Sequence, residues 1–168
     1  MDLPLSQTVD DPLDSSLESI RQLAREIVPS TRIRAEVTEQ GLLLRAVSEL
    51  DLEIAVDRLK AVAPALRVGN PAINYIESEV WLEPFATIVL HVPAETLQIV
   101  CQDLRARRAE FHEQSEAKSG QVLVRAIAPM AELFGYSTSL RTFTRGRGSF
   151  EQEFHDYRPM PTSGASDA

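Results

Sequence analysis

The sequence has few of the features that mark secreted, membrane-spanning or disordered proteins. Cys101 is its only cysteine, so no internal disulfide can form, and a reducing, cytoplasmic environment is expected. No apolar run approaches the roughly 20 residues that cross a bilayer, and the acidic N-terminus lacks the charged-then-apolar order of a signal peptide. Hydrophobic residues still make up 43% of the chain, which is enough for a core and argues against wholesale disorder.

The chain is acidic overall, with a formal net charge of −8, but the charge is unevenly distributed. Residues 1–80 carry 8 basic and 14 acidic side chains, whereas residues 105–147 carry 8 basic and 4 acidic ones. Proteins bind nucleic acid through clustered cations, which release counterions from the phosphates. The composition therefore argues against DNA binding and general nucleic-acid binding, and it leaves room only for a restricted RNA contact in the basic part.

The first half of the chain predicts the order β-α-β-β-α-β from its hydrophobic periodicity. Ser15-x-x-Glu18 and Ser48-x-x-Asp51 have the spacing of helix N-terminal caps, and a proline closes each helix. The predicted elements are a strand at 3–9, a helix at 17–27, strands at 33–37 and 42–47, a helix between 48 and 64, and a strand at 66–68.

The second half repeats this order. The hairpin turns around Lys118-Ser119-Gly120, and the residues from 159 to 168 are predicted to form a disordered tail. The predicted elements are a strand at 86–92, a helix with the apolar stripe Leu97, Val100, Cys101 and Leu104, strands at 109–115 and 121–128, a helix over 130–140, and a strand at 150–157.

Two such repeats predict an α+β fold of two tandem ferredoxin-like βαββαβ domains. Each domain would be a four-stranded antiparallel sheet with two helices on one face, and the join is expected near residues 74–83. Each unit of about 75 residues is close to the size at which a core is marginal. Packing against a partner or against the other unit would therefore help to stabilise it.

Short motifs follow one another along the second half. They are Leu82-Glu83-Pro84, Pro93-Ala94-Glu95, Asp103-Leu104-x-x-Arg107-Arg108, Pro129-x-Ala131-Glu132-x-Phe134-Gly135-Tyr136-Ser137-Thr138, and Thr144-Arg145-Gly146-Arg147-Gly148-Ser149-Phe150. In this order they resemble the C-terminal, fifth domain of translation elongation factor G, over residues 82–158. The first half, through the segments 48–60 and 68–75, resembles the third domain of the same factor over residues 1–77.

The chain departs from that family in what it omits. It contains no phosphate-binding G-x-x-x-x-G-K-[ST] loop, and it has no counterpart of the factor's GTPase, second or fourth domains. Within the third-domain motif, Ala46-Val47 replaces a glycine-containing start and Asp51 replaces a histidine. The resemblance therefore implies a protein without catalytic activity and without a cofactor, and the direct join between the halves favours a complete small protein.

The remaining candidate groups each have a structural interpretation that we favour. The three histidines, His91, His112 and His155, lie far apart without metal-ligand spacing, so no metal site is predicted. Cys101 lies on the apolar stripe of a helix and is interpreted as a buried thiol rather than a nucleophile. The carboxylates of residues 49, 53 and 57 recur every four residues on one helix, which is more typical of a solvated face than of an acid–base pair.

The basic residues are the candidate ribosome-binding site. Arg105, Arg107 and Arg108 end one helix, and the second cluster is Arg141, Arg145, Gly146, Arg147 and Gly148. Guanidinium groups bind phosphate in a bidentate manner, and glycine allows close backbone approach to RNA. Alternatively, the first group complements a helix dipole and the glycines serve a turn or bulge.

Two functions follow from the resemblance. In the family, the fifth domain lies against ribosomal RNA and ribosomal proteins, which implies a ribosome-associated protein that modulates translation. The third domain lies beside the GTPase switch regions, which implies the alternative of a protein–protein module acting in trans with a separate GTPase or another partner. Oligomerisation through sheet edges is a third interpretation.

Overall fold

The computed structural model describes residues 3–116 and 119–161. The chain divides into two compact units, Met1–Asn74 and Tyr75–Ala168. Lys118 of the predicted hairpin turn and residues 162–168 of the predicted tail lie outside the described residues. Among the described helices, none has the length and apolar character needed to span a membrane.

The first unit is a four-stranded antiparallel sheet that carries two helices and a short extra strand. Its elements are β1 (Leu5–Asp10), α1 (Leu17–Glu26), β2 (Ile33–Thr38), β3 (Gly41–Ala46), α2 (Glu49–Val62), β4 (Arg67–Val68) and β5 (Ala72–Ile73). The strand order is β2-β3-β1-β4, and β5 adds to the end of β1. This order places the two crossover helices against the sheet, where Leu5, Leu44 and Leu59 form part of the core.

The two helix caps of the first unit show how closely local sequence sets a helix start. Ser48 caps α2 as predicted, because its Oγ accepts the N–H of Asp51 at 3.2 Å. For α1 the prediction was wrong by one residue, since Ser16 rather than Ser15 is the cap and accepts the N–H of Ser19. The carboxylate of Asp14 accepts the N–H of Ser16 at 3.0 Å, which holds Ser16 in the extended conformation that a cap requires.

The second unit repeats the same topology with longer strands. Its elements are β6 (Ile76–Glu77), β7 (Trp81–Pro93), a 3-10 turn (Ala94–Thr96), α3 (Leu97–Ala106), β8 (Glu110–Glu116), β9 (Gln121–Pro129), a second 3-10 turn (Met130–Glu132), α4 (Tyr136–Thr144) and β10 (Ser149–Pro159). The strand order is β10-β7-β9-β8, and β6 pairs with the start of β7. Both sheets are antiparallel, so the predicted pair of ferredoxin-like domains is confirmed.

The last helix of the second unit differs from its prediction. A single helix over 130–140 was expected, but the chain forms a 3-10 turn at Met130–Glu132, and α4 begins only at Tyr136. Gly135 between them has φ +69°, a left-handed conformation that interrupts helical geometry and that glycine adopts without strain. The helix then continues to Thr144, which moves its C-terminal end into the basic segment.

Candidate nucleic-acid interface

The basic segment after α4 is a short, tightly fixed loop. At the end of α4, Arg145 has φ +51° and Gly146 has φ +77°, and the N–H of Gly146 donates to the carbonyl of Arg141 at 2.8 Å. These two left-handed residues turn the chain back toward β10. A Cβ at Gly146 would meet no atom within 4 Å, so glycine is favoured there by backbone conformation rather than by space.

Thr144 anchors the other side of this loop. Its side chain is fully buried, and its Oγ1 donates to the carbonyl of Leu140 at 2.8 Å and accepts the N–H of Gly148 at 2.9 Å. A Cβ at Gly148 would lie 2.8 Å from Cγ2 of Thr144, so a side chain there would force the loop to move. The backbone of the loop is therefore held in place from inside the fold.

The last turn of α4 and the loop after it present three arginines at the surface, Arg141, Arg145 and Arg147, which we call the α4 arginines. Arg147 Nη2 forms an ion pair with Glu95 Oε1 at 2.7 Å, but both side chains are more than half exposed. Hydrogen bonds, first from its own backbone N–H and then from Arg147, lower the pKa of Glu95. Over residues 3–116 and 119–161, no carboxylate forms an ion pair with Arg141 or Arg145. Their guanidinium groups are thus accessible to an anion from outside.

The arginines at the end of α3 have a different environment. Arg107 donates from Nε to Asp103 Oδ2 at 2.8 Å and from Nη1 to the carbonyl of Glu132 at 2.6 Å. Its guanidinium carbon also lies 5.1 Å from the ring centroid of Tyr136. Arg107 therefore ties α3 to the segment that precedes α4, and its hydrogen-bonding groups are largely occupied within the fold.

Arg108 neutralises a buried carboxylate. Its Nη1 and Nη2 bind the two oxygens of Glu83 at 2.8 and 2.9 Å, and Glu83 is only 2% exposed. The pKa of Arg108 is raised, chiefly by this hydrogen-bonded pair. Arg107 and Arg108 therefore have specific partners within the fold, and their interaction with the dipole of α3 stays a prediction. Arg105 remains exposed, with its guanidinium 5.3 Å from the ring of Phe111.

Sequence reasoning missed the residues that hold Arg107 and Arg108 in place. Glu83 and Tyr136 belong to motifs that resemble elongation factor G. Their spacing in the sequence does not predict that Glu83 forms a buried ion pair or that an arginine stacks on Tyr136. The hydroxyl of Tyr136 is buried and has no hydrogen-bond partner in the described part of the chain, and burial raises the pKa of this hydroxyl.

The histidines, Cys101 and the carboxylates of α2 are the other candidate groups. The histidines lie on three different strands, and His155 Nδ1 lies 2.9 Å from Thr87 Oγ1. Among the described residues, no three metal-binding side chains lie together. Cys101 is 7% exposed, and burial raises the pKa of its thiol, which fits the predicted structural role.

The carboxylates of α2 lie along one side of a groove of about 320 Å³ in the first unit. The groove is formed by Gln7, Glu49, Leu52, Glu53, Val56, Asp57 and Pro71. Its carboxylates remain partly or fully exposed, as a solvated face would be.

Comparisons with known proteins identify the second unit. A family model described as elongation factor G C-terminus matches residues 80–167, which is over half of the chain. The crystal structure of ttk003000868 from Thermus thermophilus matches 96% of this chain with a TM-score of 0.59 and 16% sequence identity, a likeness that shows the fold alone. The present chain spans 41% of that structure's chain. By the match over residues 80–167, the protein belongs to the elongation factor G C-terminus family, and its 168 residues contain no GTPase domain.

Proposed function

We propose that this chain is a non-enzymatic, elongation factor G-like protein of the cytoplasm that associates with the ribosome and modulates translation. The proposal rests on the last turn of α4 and the fixed loop after it, where Arg141 and Arg145 have no carboxylate partner among the described residues. A fixed backbone lowers the entropic cost of ordering a loop on binding. The family match covers this loop and supports translation as the process.

The proposal assigns different roles to the arginines. The α4 arginines contact ribosomal RNA phosphates. Gly146 and Gly148 lack side chains, so the loop backbone can approach the RNA closely. Arg105 adds a cation on the neighbouring helix. Arg107 and Arg108 position α3 and the start of β7 rather than bind RNA directly. Residues 1–77 correspond to the third domain of the factor and residues 82–158 to its C-terminal domain.

The test is ribosome co-sedimentation over a salt series. We expect the full chain to pellet with ribosomes at low salt and to be released as salt rises, because phosphate contacts weaken as counterions compete. The variant Arg141→Glu, Arg145→Glu, Arg147→Glu should stay in the supernatant. A matched variant of the first unit, Arg21→Glu, Arg25→Glu, Arg34→Glu, has the same net charge and should still pellet. If both variants pellet equally, the loop is not the contact.

The absence of catalysis is tested separately. Purified chain, alone and with ribosomes, should not accelerate GTP hydrolysis above the ribosome background. Turnover by the pure chain would overturn the non-enzymatic assignment.

A second candidate function is a protein–protein module that acts in trans with a separate GTPase or another protein. The observation that favours it is the set of exposed apolar side chains on the first unit, among them Leu50 and Ile54 of α2. Affinity purification of the tagged chain that enriched no protein at all would argue against this function.

A further inference from the structure

The first unit exposes apolar side chains on the outer face of α2. Leu50 is 61% exposed and Ile54 is 53% exposed, and they lie one helical turn apart on the same face. We call these two residues the α2 ridge. Val28, in the segment that follows α1, is 69% exposed. Val28 and Ile54 line the same groove, so the exposed apolar surface extends from α2 to this segment.

A shallow groove runs along one flank of the α2 ridge. It measures about 110 Å³, and its apolar wall is formed by Ile27, Val28, Ile33, Ile54 and Ala55. Asp51 and Arg58 also line it. Because Asp51 is already bound by Arg32 Nε and Nη2 at 3.1 and 2.9 Å, that carboxylate adds little net charge to the groove. Arg58 adds a cation at the edge of the groove, and the rest of its wall suits an aliphatic side chain.

The opposite flank of the ridge is acidic. Glu49 and Glu53 precede the two ridge residues by one position, and Asp57 continues the same four-residue repeat. These three carboxylates form a row beside the ridge, which we call the acidic row. The same row lines the groove of about 320 Å³. A partner that covers the ridge therefore meets aliphatic surface on one side and three carboxylates on the other.

We propose that α2 is the docking surface for an amphipathic helix of another polypeptide, with an apolar stripe flanked by Lys or Arg. Its stripe covers Leu50, Ile54 and Val28, and its cations face the acidic row. A helix suits the surface because cations spaced by three or four residues match carboxylates spaced by four, as in other helix-in-groove complexes. An RNA is disfavoured because its phosphates bring further negative charge to the row. A second copy of the chain is disfavoured because its formal net charge of −8 repels the row overall.

This inference deepens the second proposed function by naming a surface and a class of partner, and it rests on that function alone. It does not depend on the ribosome contact, which lies in the other unit. Loss of ribosome binding in the α4 arginine variant and loss of peptide binding in an α2 variant are therefore separate results.

The test uses the full chain and synthetic peptides. The probe is an 18-residue helical peptide with Leu at positions i, i+3, i+4 and i+7 and Lys along one flank. One control peptide has the same composition in scrambled order, and another has Glu in place of Lys. We expect the Lys helix to bind at least about tenfold more tightly than either control in fluorescence anisotropy. Equal binding of the scrambled peptide would overturn the proposal, because it would show attraction by charge alone.

Variants of α2, compared with a control variant on α3, test whether the peptide binds to α2. Leu50→Ser with Ile54→Ser should weaken binding of the Lys helix by about tenfold or more, whereas Ile99→Ser, at a 46% exposed apolar position on α3, should leave it unchanged. Glu53→Lys with Asp57→Lys should shift the preference to the Glu peptide. An equal loss with Ile99→Ser would contradict the proposal. So would a dimer in sedimentation equilibrium that Leu50→Ser with Ile54→Ser dissociates, because the ridge would then be covered by a second copy.

Discussion

The second unit contains two groups of arginines that look alike in sequence and differ in structure. Arg107 and Arg108 follow α3 and bind a carboxylate or carbonyl within the fold, whereas Arg141 and Arg145 lie at the end of α4 and bind no carboxylate among the described residues. The difference arises from what lies opposite. Glu83, at the start of β7, is buried and pairs with Arg108. The loop after α4 is held by Thr144, and its arginine side chains extend into solvent.

A basic motif is therefore not by itself a binding site. A guanidinium that already satisfies a buried carboxylate has little capacity left for a phosphate, and removing it harms stability first. A guanidinium on a fixed surface loop contributes little to stability and remains available to a partner. Substitution of Arg107 or Arg108 should therefore lower stability, whereas substitution of Arg141 or Arg145 should weaken binding to a partner.

The largest expected effect is on the pair of Arg108 and Glu83. Arg108→Met leaves the carboxylate of Glu83 buried without a counterion, so we expect it to lower the free energy of unfolding by about 3 kcal/mol. Denaturant titration followed by circular dichroism measures the change. The double variant Glu83→Met, Arg108→Met should recover part of the loss, because no unpaired charge remains. If the double variant is no more stable than Arg108→Met, the ion pair is not the cause.

Substitution of Gly148 should have the next largest effect. Gly148→Ala places a methyl group 2.8 Å from Cγ2 of the buried Thr144, and overpacking of this kind costs about 1–3 kcal/mol. Gly146→Ala is the matched variant, since it meets no atom but retains the strained φ of +77°, and we expect it to cost about 1 kcal/mol. Thermal unfolding of the two variants should rank them in this order. The reverse rank would show that strain, not packing, fixes the loop.

Removal of the Tyr136 hydroxyl should have a smaller effect on stability, and in the opposite direction. Because it is buried without a partner among the described residues, Tyr136→Phe should leave the protein equally stable or stabilise it by up to about 1 kcal/mol. Arg107 keeps an aromatic ring to stack on in this variant. Tyr75→Phe, at a 41% exposed ring, serves as the control and should show no change. A clear destabilisation by Tyr136→Phe would reveal a hydrogen bond that the hydroxyl makes in solution.

The fold could be predicted from the sequence, whereas the contacts of the candidate arginines within the fold could not, and the reasons are physical. Strand and helix periodicity, and caps such as Ser48, depend on neighbours within a few residues, so they can be read directly from the chain. The break in the predicted helix at Gly135 was missed because a glycine within an apolar pattern can adopt either a helical or a left-handed conformation. The roles of Arg107 and Arg108 depend on Glu83 and Glu132, which are about 25 residues away in sequence. Such long-range pairings have no local signature.

The most direct test measures stability and ribosome binding on the same two variants. We expect Arg141→Glu, Arg145→Glu, Arg147→Glu to keep the melting temperature of the wild type and to lose co-sedimentation with ribosomes at low salt. Arg107→Met, Arg108→Met should melt at a lower temperature and still co-sediment under conditions where it remains folded. If the α4 variant still pellets with ribosomes while the α3 variant, although folded, does not, then Arg107 and Arg108 rather than the α4 arginines bind the ribosome.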